Sequence, residues 1–225
     1  MSWIASFYRS AVGKKAVMAV TGVFLFGWIF AHMVGNLKLY FGAEHLNDYA
    51  HWLRVMGAPA VPEAGLLWIV RLLLFAAVVL HITAATQLTL QSRAARPIDY
   101  GRRDVVQATY ASRTMRWGGV IILLFIFYHL GHLTFGTFHP DFVPEDPYHN
   151  VVRGFQVWWV SAFYILANLA LGLHLYHGLW AMFNSLGLNS PKFNGWRRVF
   201  ATAFALVITA GNVSFPLMVL LGIVR

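Results

Sequence analysis

Six of the ten histidines lie inside long apolar runs: His32, His81, His129, His132, His174 and His177. An ionisable ring in hydrocarbon is costly, and where one occurs it marks an ion, proton or cofactor site. A single case is explained by a hydrogen bond between helices. Four successive apolar runs that each carry at least one call for a shared ligand. Cysteine is absent, which excludes disulfides, thiolate zinc sites, cysteine-held iron–sulfur clusters, covalently attached c-type haem and a cysteine nucleophile. Imidazole is then the strong nitrogen ligand available. Two imidazoles from facing helices hold the iron of one haem b, and four hold two.

The elements that would position these rings follow from composition. The 225 residues are 59% hydrophobic and 11% charged, with mean hydropathy +0.61. A typical soluble domain is roughly 25% charged, so a soluble enzyme, a disordered chain and a fibrous protein are excluded as readings. Apolar runs of about 20 residues cross the hydrocarbon layer. Five occur, at about 16–37, 65–91, 117–138, 157–186 and 199–224. They lack the alternation of barrel strands, so they must be helices. The expected fold is an all-α integral membrane protein, one membrane domain over 1–225, with the first four helices forming a cofactor-binding bundle and the fifth supporting it. Asn212 and Pro216 predict a kink or early end in the fifth span. No small-residue cleavage site follows the first apolar stretch.

Charge gives the orientation. The net charge of +9 is read as membrane topology, and no nucleic-acid partner is expected. One side holds Arg9, Lys14, Lys15, Arg93, Arg96, Arg102, Arg103, Arg113, Arg116, Lys192, Arg197 and Arg198 against two acids, Asp99 and Asp104. The other holds Lys38, Arg54, Arg71, Arg153 and Arg225 against Glu44, Asp48, Glu63, Asp141, Glu145 and Asp146. The amino terminus is therefore expected inside and the carboxyl terminus outside.

Depth suggests which histidines share a level. His32 lies 6 residues before Lys38, His129 12 before Asp141, His81 18 after Glu63 and His174 21 after Arg153. At 1.5 Å per residue these are depths of about 9, 18, 27 and 31 Å from the outer side. His32 would pair with His129 outside, and His81 with His174 inside, joining diagonal helices. His132 and His177 each stand three residues from a paired histidine, about 60° around the helix, so geometry leaves open which member of each pair is the ligand. Gly22, Gly27, Gly35, Gly131, Gly172 and Gly178 are positions where a flat group could approach the backbone.

The motifs that surround these residues resemble a known family. They are Ala31-His32-Met33-Val34-Gly35-Asn36-Leu37, then Gly42-Ala43-Glu44 with Asn47 and Ala50-His51, Leu80-His81, Arg116 thirteen residues before His129, and His174 four residues before Gly178-Leu179-Trp180. Over essentially its whole length the chain is similar to the membrane-anchor cytochrome b of bacterial succinate dehydrogenase and fumarate reductase, of the single-chain, five-helix, two-haem type. The resemblance implies His32, His81, His129 and His174 as axial ligands, with His132 and His177 in secondary roles. It implies two haem b groups, and flavoprotein and iron–sulfur partners that carry FAD and the clusters on the cytoplasmic face of the bacterial inner membrane. Electrons from succinate would enter at the inner pair, leave at the outer pair and reduce a quinone, with menaquinone expected; fumarate reduction runs in reverse.

The resemblance also implies a quinone site in the outer half, with His45, Asp48, His51 and Glu63 as candidates, and Arg116 as a contact for a haem propionate. One departure stands out. Some fumarate reductases of this type carry a glutamate two residues before the fourth ligand, whereas this chain has Gly172 there and no acid in the helix, so that proton path is not expected. Two other readings place the histidines differently. A nitrate reductase gamma subunit or hydrogenase cytochrome b would also hold two haems, but the former expects an outside amino terminus and ligands on two helices. A haem-free transporter would use the histidines as proton relays.

Overall fold

In a computed structural model, residues 3–95 and 110–225 are described, with side chains for all of these except 4 and 110–114. The inner-loop residues Arg96, Asp99, Arg102, Arg103 and Asp104, and the Arg113 side chain, lie outside this description. A short amino-terminal helix, α1 (Trp3–Arg9), leads into α2 (Ala11–Asn36), which a 3-10 segment extends through Leu37–Phe41. Then come α3 (Ala43–Val55), α4 (Gly65–Ala94), α5 (Tyr110–His129) with a π-helical turn over Leu130–Thr134, α6 (Pro147–Gln156), α7 (Trp158–Ser185) and α8 (Asn194–Leu220). Five of these, α2, α4, α5, α7 and α8, are long and apolar enough to cross a membrane.

The direct packing runs α2 on α4, α5 on α7, and α7 on α8, with α2 also meeting α7 and α8. Apolar side chains outside these seams face outward, as a lipid solvent requires. On α4 only Ala77 and Ala84 are buried, whereas α7 buries Val160, Tyr164, Leu175 and Leu179 among others. Small residues set the close seams. A Cβ on Gly172 of α7 would collide with Thr209 of α8, and one on Gly211 of α8 with Met33 of α2.

Two span ends and two loops differ from the hydropathy reading. The third span was expected to reach 138 but stops at Thr134. The ring of Phe138 folds back onto Gly131, where any side chain would clash, and Gly136 turns the chain at φ +73°. Glycine adopts that backbone without a Cβ penalty. The fifth helix ends at Leu220, short of 224, but continues through Pro216, which is buried inside it. The outer loops also contain α3 and α6, which hydropathy alone read as loop.

These two short helices form a cap at one end of the bundle, the end expected outside. Leu46 buries the inward side of α3, and Val152 and Phe155 that of α6. Asp146 caps α6 by accepting from the His149 amide at 3.0 Å, with Pro147 at the first helical position. The Asn47 side chain ties α3 to this cap: its Nδ2 donates to Asp146 at 2.9 Å, and its Oδ1 accepts from the Tyr148 amide at 3.1 Å. The His149 amide, together with Asn47, holds the Asp146 carboxyl below the usual range. Arg153 does the same for Asp141.

A carboxylate with a depressed pKa stabilises the fold above its ordinary value and loses that contribution as pH falls through the folded value. Asp146→Ala is therefore expected to lower stability by about 1 kcal/mol at neutral pH, the usual worth of an N-cap. The deficit relative to the natural chain should shrink as pH drops below the ordinary value of 3.8. Thermal unfolding in detergent across pH measures both effects.

Candidate functional site

Four of the intramembrane histidines meet across the bundle in two pairs. His32 of α2 faces His129 of α5, with ring centroids 5.9 Å apart and planes crossed at 87°. His81 of α4 faces His174 of α7, at 6.4 Å and 58°. The levels are separated along the bundle axis. Thr21, which touches His81, precedes His32 by eleven residues on α2, and Tyr164, which touches His129, precedes His174 by ten on α7. At 1.5 Å per residue both routes give a spacing of about 15 Å.

The pairs have room for a metal between the rings. A bond of roughly 2 Å from each imidazole nitrogen to a metal, plus the two ring half-widths, separates centroids by about 6 Å. Among the described residues no group of three or more His, Asp or Glu side chains gathers around a bare ion. The donor set thus suits a metal whose other positions are already filled, as in a flat macrocycle.

The inner pair carries a second fit. The Thr21 hydroxyl donates to the Val17 carbonyl at 2.7 Å and lies 3.1 Å from His81 Nδ1. Its proton is committed to the backbone, so its oxygen accepts from His81. That places the His81 proton on Nδ1 and leaves Nε2 bare for a metal. Gly22 lies beneath the same ring: a Cβ there would stand 3.5 Å from His81 Cε1. Beside His174, a Cβ on Gly119 would stand 3.9 Å from Cε1, while Gly27 and Gly118 face open space.

The outer pair is set in a denser shell. Tyr164 is 4% exposed, and its hydroxyl lies 3.4 Å from His129 Nδ1 and 3.0 Å from His132 Nδ1. His132 is fully buried, stacked between Tyr128 at 5.5 Å and His139 at 4.9 Å. His139 accepts from the Asp141 amide on Nδ1 at 3.1 Å, so its proton sits on Nε2, 2.8 Å from the Asn150 carbonyl. Trp28 stacks on His32 one turn earlier, at 5.7 Å.

Other expected site residues fall elsewhere. His177 is half-buried toward the carboxyl end of α7, and Arg116 is exposed near the start of α5. His45, Asp48 and His51 on α3, and Glu63 ahead of α4, are all exposed; His45 rests against Phe41 at 5.8 Å. Of the glycines, Gly35, Gly131 and Gly172 are filled by Tyr49, Phe138 and Thr209, and Gly178 sits against Met115 at 3.6 Å. The first three therefore serve close packing and leave no room for a flat group. Thr21, Tyr164 and His139 were not singled out from sequence. The signal for the first two was an isolated hydroxyl inside a hydrophobic span.

Residues 99–213 match the family model described as succinate dehydrogenase/fumarate reductase transmembrane subunit. The match covers just over half of the chain and includes His129 and His174, one member of each pair, together with Tyr164. No curated protein and no solved structure matches the chain.

The Thr21 contact makes a testable demand. Thr21→Val keeps the volume but removes the acceptor, and is expected to weaken the hold of His81 on a metal group by about 10–100-fold, the usual cost of losing such a partner. Thr21→Ser should retain it. Cofactor content of the two purified variants, read against total protein, separates these outcomes.

Proposed function

The chain belongs to the succinate dehydrogenase/fumarate reductase transmembrane subunit family, and we propose that within that complex it is the dihaem cytochrome b anchor. In this reading His32 and His129 hold an outer haem b, and His81 and His174 an inner one. The observation that carries it is the meeting of four helices through two imidazole pairs at 5.9 and 6.4 Å. Bound haem would supply reversible one-electron transfer at two levels of the bilayer.

The residues of this chain bind and orient. Thr21 selects the His81 tautomer that offers Nε2, and Gly22 keeps the backbone close without crowding the ring. The core of Phe125, Phe155 and Tyr164 keeps water from the outer pair. The flavoprotein and iron–sulfur subunits dock on the basic, cytoplasmic side of the bacterial inner membrane, where Arg116 is available to an acidic group. Lys14 and Arg197 are buried at that end and shape it. Lys14 Nζ donates to the Arg9 carbonyl at 2.7 Å. Arg197 bonds Asn184 at 2.9 Å and Asn189 at 3.1 Å, and lies 4.5 Å over Trp180. A membrane quinone, menaquinone in this reading, is handled at the outer end, where His45, Asp48, His51 and Glu63 offer polar and proton-exchanging groups.

A dithionite-reduced minus oxidised spectrum of the purified complex, with haem counted per chain as the pyridine haemochrome, tests this directly. Two low-spin b haems per chain are expected. His32→Ala and His129→Ala should each lose the same haem, and His81→Ala and His174→Ala the other. A chain without haem, in a preparation shown to retain its cofactors, would overturn the reading. Loss of one common haem from His32→Ala and His81→Ala would overturn the pairing.

A further inference from the structure

We propose that Tyr164 is a positioning residue: its hydroxyl, held between His129 and His132, fixes which nitrogen of His129 is free to bind iron and tunes the outer haem through that ring. This rests on the dihaem reading above and goes beyond it, because Tyr164 is no ligand in that reading and acts through His129.

The argument is one of proton placement. A phenol has a single proton to give and oxygen lone pairs to receive. Tyr164 Oη faces two ring nitrogens, His129 Nδ1 at 3.4 Å and His132 Nδ1 at 3.0 Å. It cannot donate to both. Nor can it swing away: Phe125 and Phe155 meet its ring edge-on at 5.0 and 4.9 Å. Two proton orders give the phenol's own proton an acceptor; were both rings to donate to its oxygen, that proton would have no partner. In one, His129 Nδ1–H donates to Tyr164 and Tyr164 donates to His132, leaving His129 Nε2 bare. In the other, His132 Nδ1–H donates to Tyr164 and Tyr164 donates to His129, which puts a proton on His129 Nε2 and blocks it from a metal. Binding through His129 therefore selects the first order.

The first order carries a cost at His132. It places the His132 proton on Nε2, a nitrogen that is fully buried and has no hydrogen-bond partner among the described residues. That nitrogen looks onto Gly154, where a Cβ would approach it to 2.9 Å. Tyr128 and His139 stack on the His132 ring and hold its plane. Both nitrogens of His139 are already committed to the Asn150 carbonyl and the Asp141 amide. The chain thus leaves one buried donor unpaired and keeps an acceptor at Nδ1 for Tyr164. His132, three residues from His129, is then the far end of the outer ligand's hydrogen-bond chain and not a rival ligand.

An imidazole that donates from its far nitrogen is the better electron donor to its metal. Removing the acceptor should favour ferrous over ferric iron. The test is a potentiometric titration of the assembled complex in membranes, followed by optical and electron-spin-resonance spectra. Tyr164→Phe keeps the ring and removes the hydroxyl. It is expected to raise the midpoint of the outer haem by on the order of tenfold in the ferric–ferrous equilibrium, about 59 mV, with a changed low-spin signal for that haem and an unmoved inner haem. Thr21→Val should do the converse, moving the inner haem alone.

His132 reads the same bond from its other side, should Tyr164→Phe fail to assemble. His132→Asn keeps an acceptor near the Nδ1 position and should shift the outer midpoint far less than His132→Leu. If Tyr164→Phe leaves both the outer midpoint and its low-spin signal unchanged, or if His132→Asn and His132→Leu shift alike, the inference falls and Tyr164 is only packing. Absence of haem in the natural chain would instead remove the dihaem reading on which it stands.

Discussion

An imidazole in hydrocarbon must find a partner for each nitrogen, since an unmet polar group there costs several kcal/mol. Much of this fold answers that demand, while His132 Nε2 and His174 Nδ1 stay buried with no partner among the described residues. Hydroxyls from Thr21 and Tyr164 reach three of the rings at Nδ1: His81, His129 and His132. Facing rings on diagonal helices put the remaining ligand nitrogens within reach of a common centre. The helices cannot close further, because the paired rings already span the gap, and the glycines along the seams let the backbone accept that spacing.

The two levels answer the demand differently. The inner pair relies on a threonine whose own proton is spent on its helix backbone, a device supplied by α2, which carries neither of the two rings. The outer pair relies on a tyrosine, a second histidine and the outer cap, so its surroundings depend on α6 and on the turn after α5. The π turn that opens at Leu130 is where the helix departs from its regular ladder, with the Phe135 amide reaching back to the Leu130 carbonyl at 2.9 Å. Such single π turns concentrate at functional sites. Here the turn carries His132 inward to Tyr164 while His129 remains on the preceding regular helix.

The sequence made the spans legible because hydrocarbon thickness imposes a length, and the runs around His32, His81, His129, His174 and Asn212 all satisfy it. The shared level of His32 with His129, and of His81 with His174, follows from counting residues to the flanking charges, because a helix converts residue number into depth. The cap was not legible. In α3 and α6 the apolar residues are few, and Asp48, Asp146 and Arg153 read as solvated loop. Nor does sequence separate Gly22, which underlies a histidine ring, from Gly172, which makes way for Thr209; both are glycines in apolar helices, and only packing tells them apart. The π turn has no sequence marker, so the third span was drawn four residues too long.

The packing pattern has a consequence for how the chain comes together. Helices α2 and α4 form one antiparallel unit, and α5, α7 and α8 another; α2 leans on the second unit over a smaller contact. Each histidine pair takes one ring from each unit. A group seated between the rings would be a rivet through both halves, its binding energy shared with the joining of the two. In thermodynamic terms, any ligand gripped by both rings of a pair would add its binding energy to the modest contact between a two-helix and a three-helix unit.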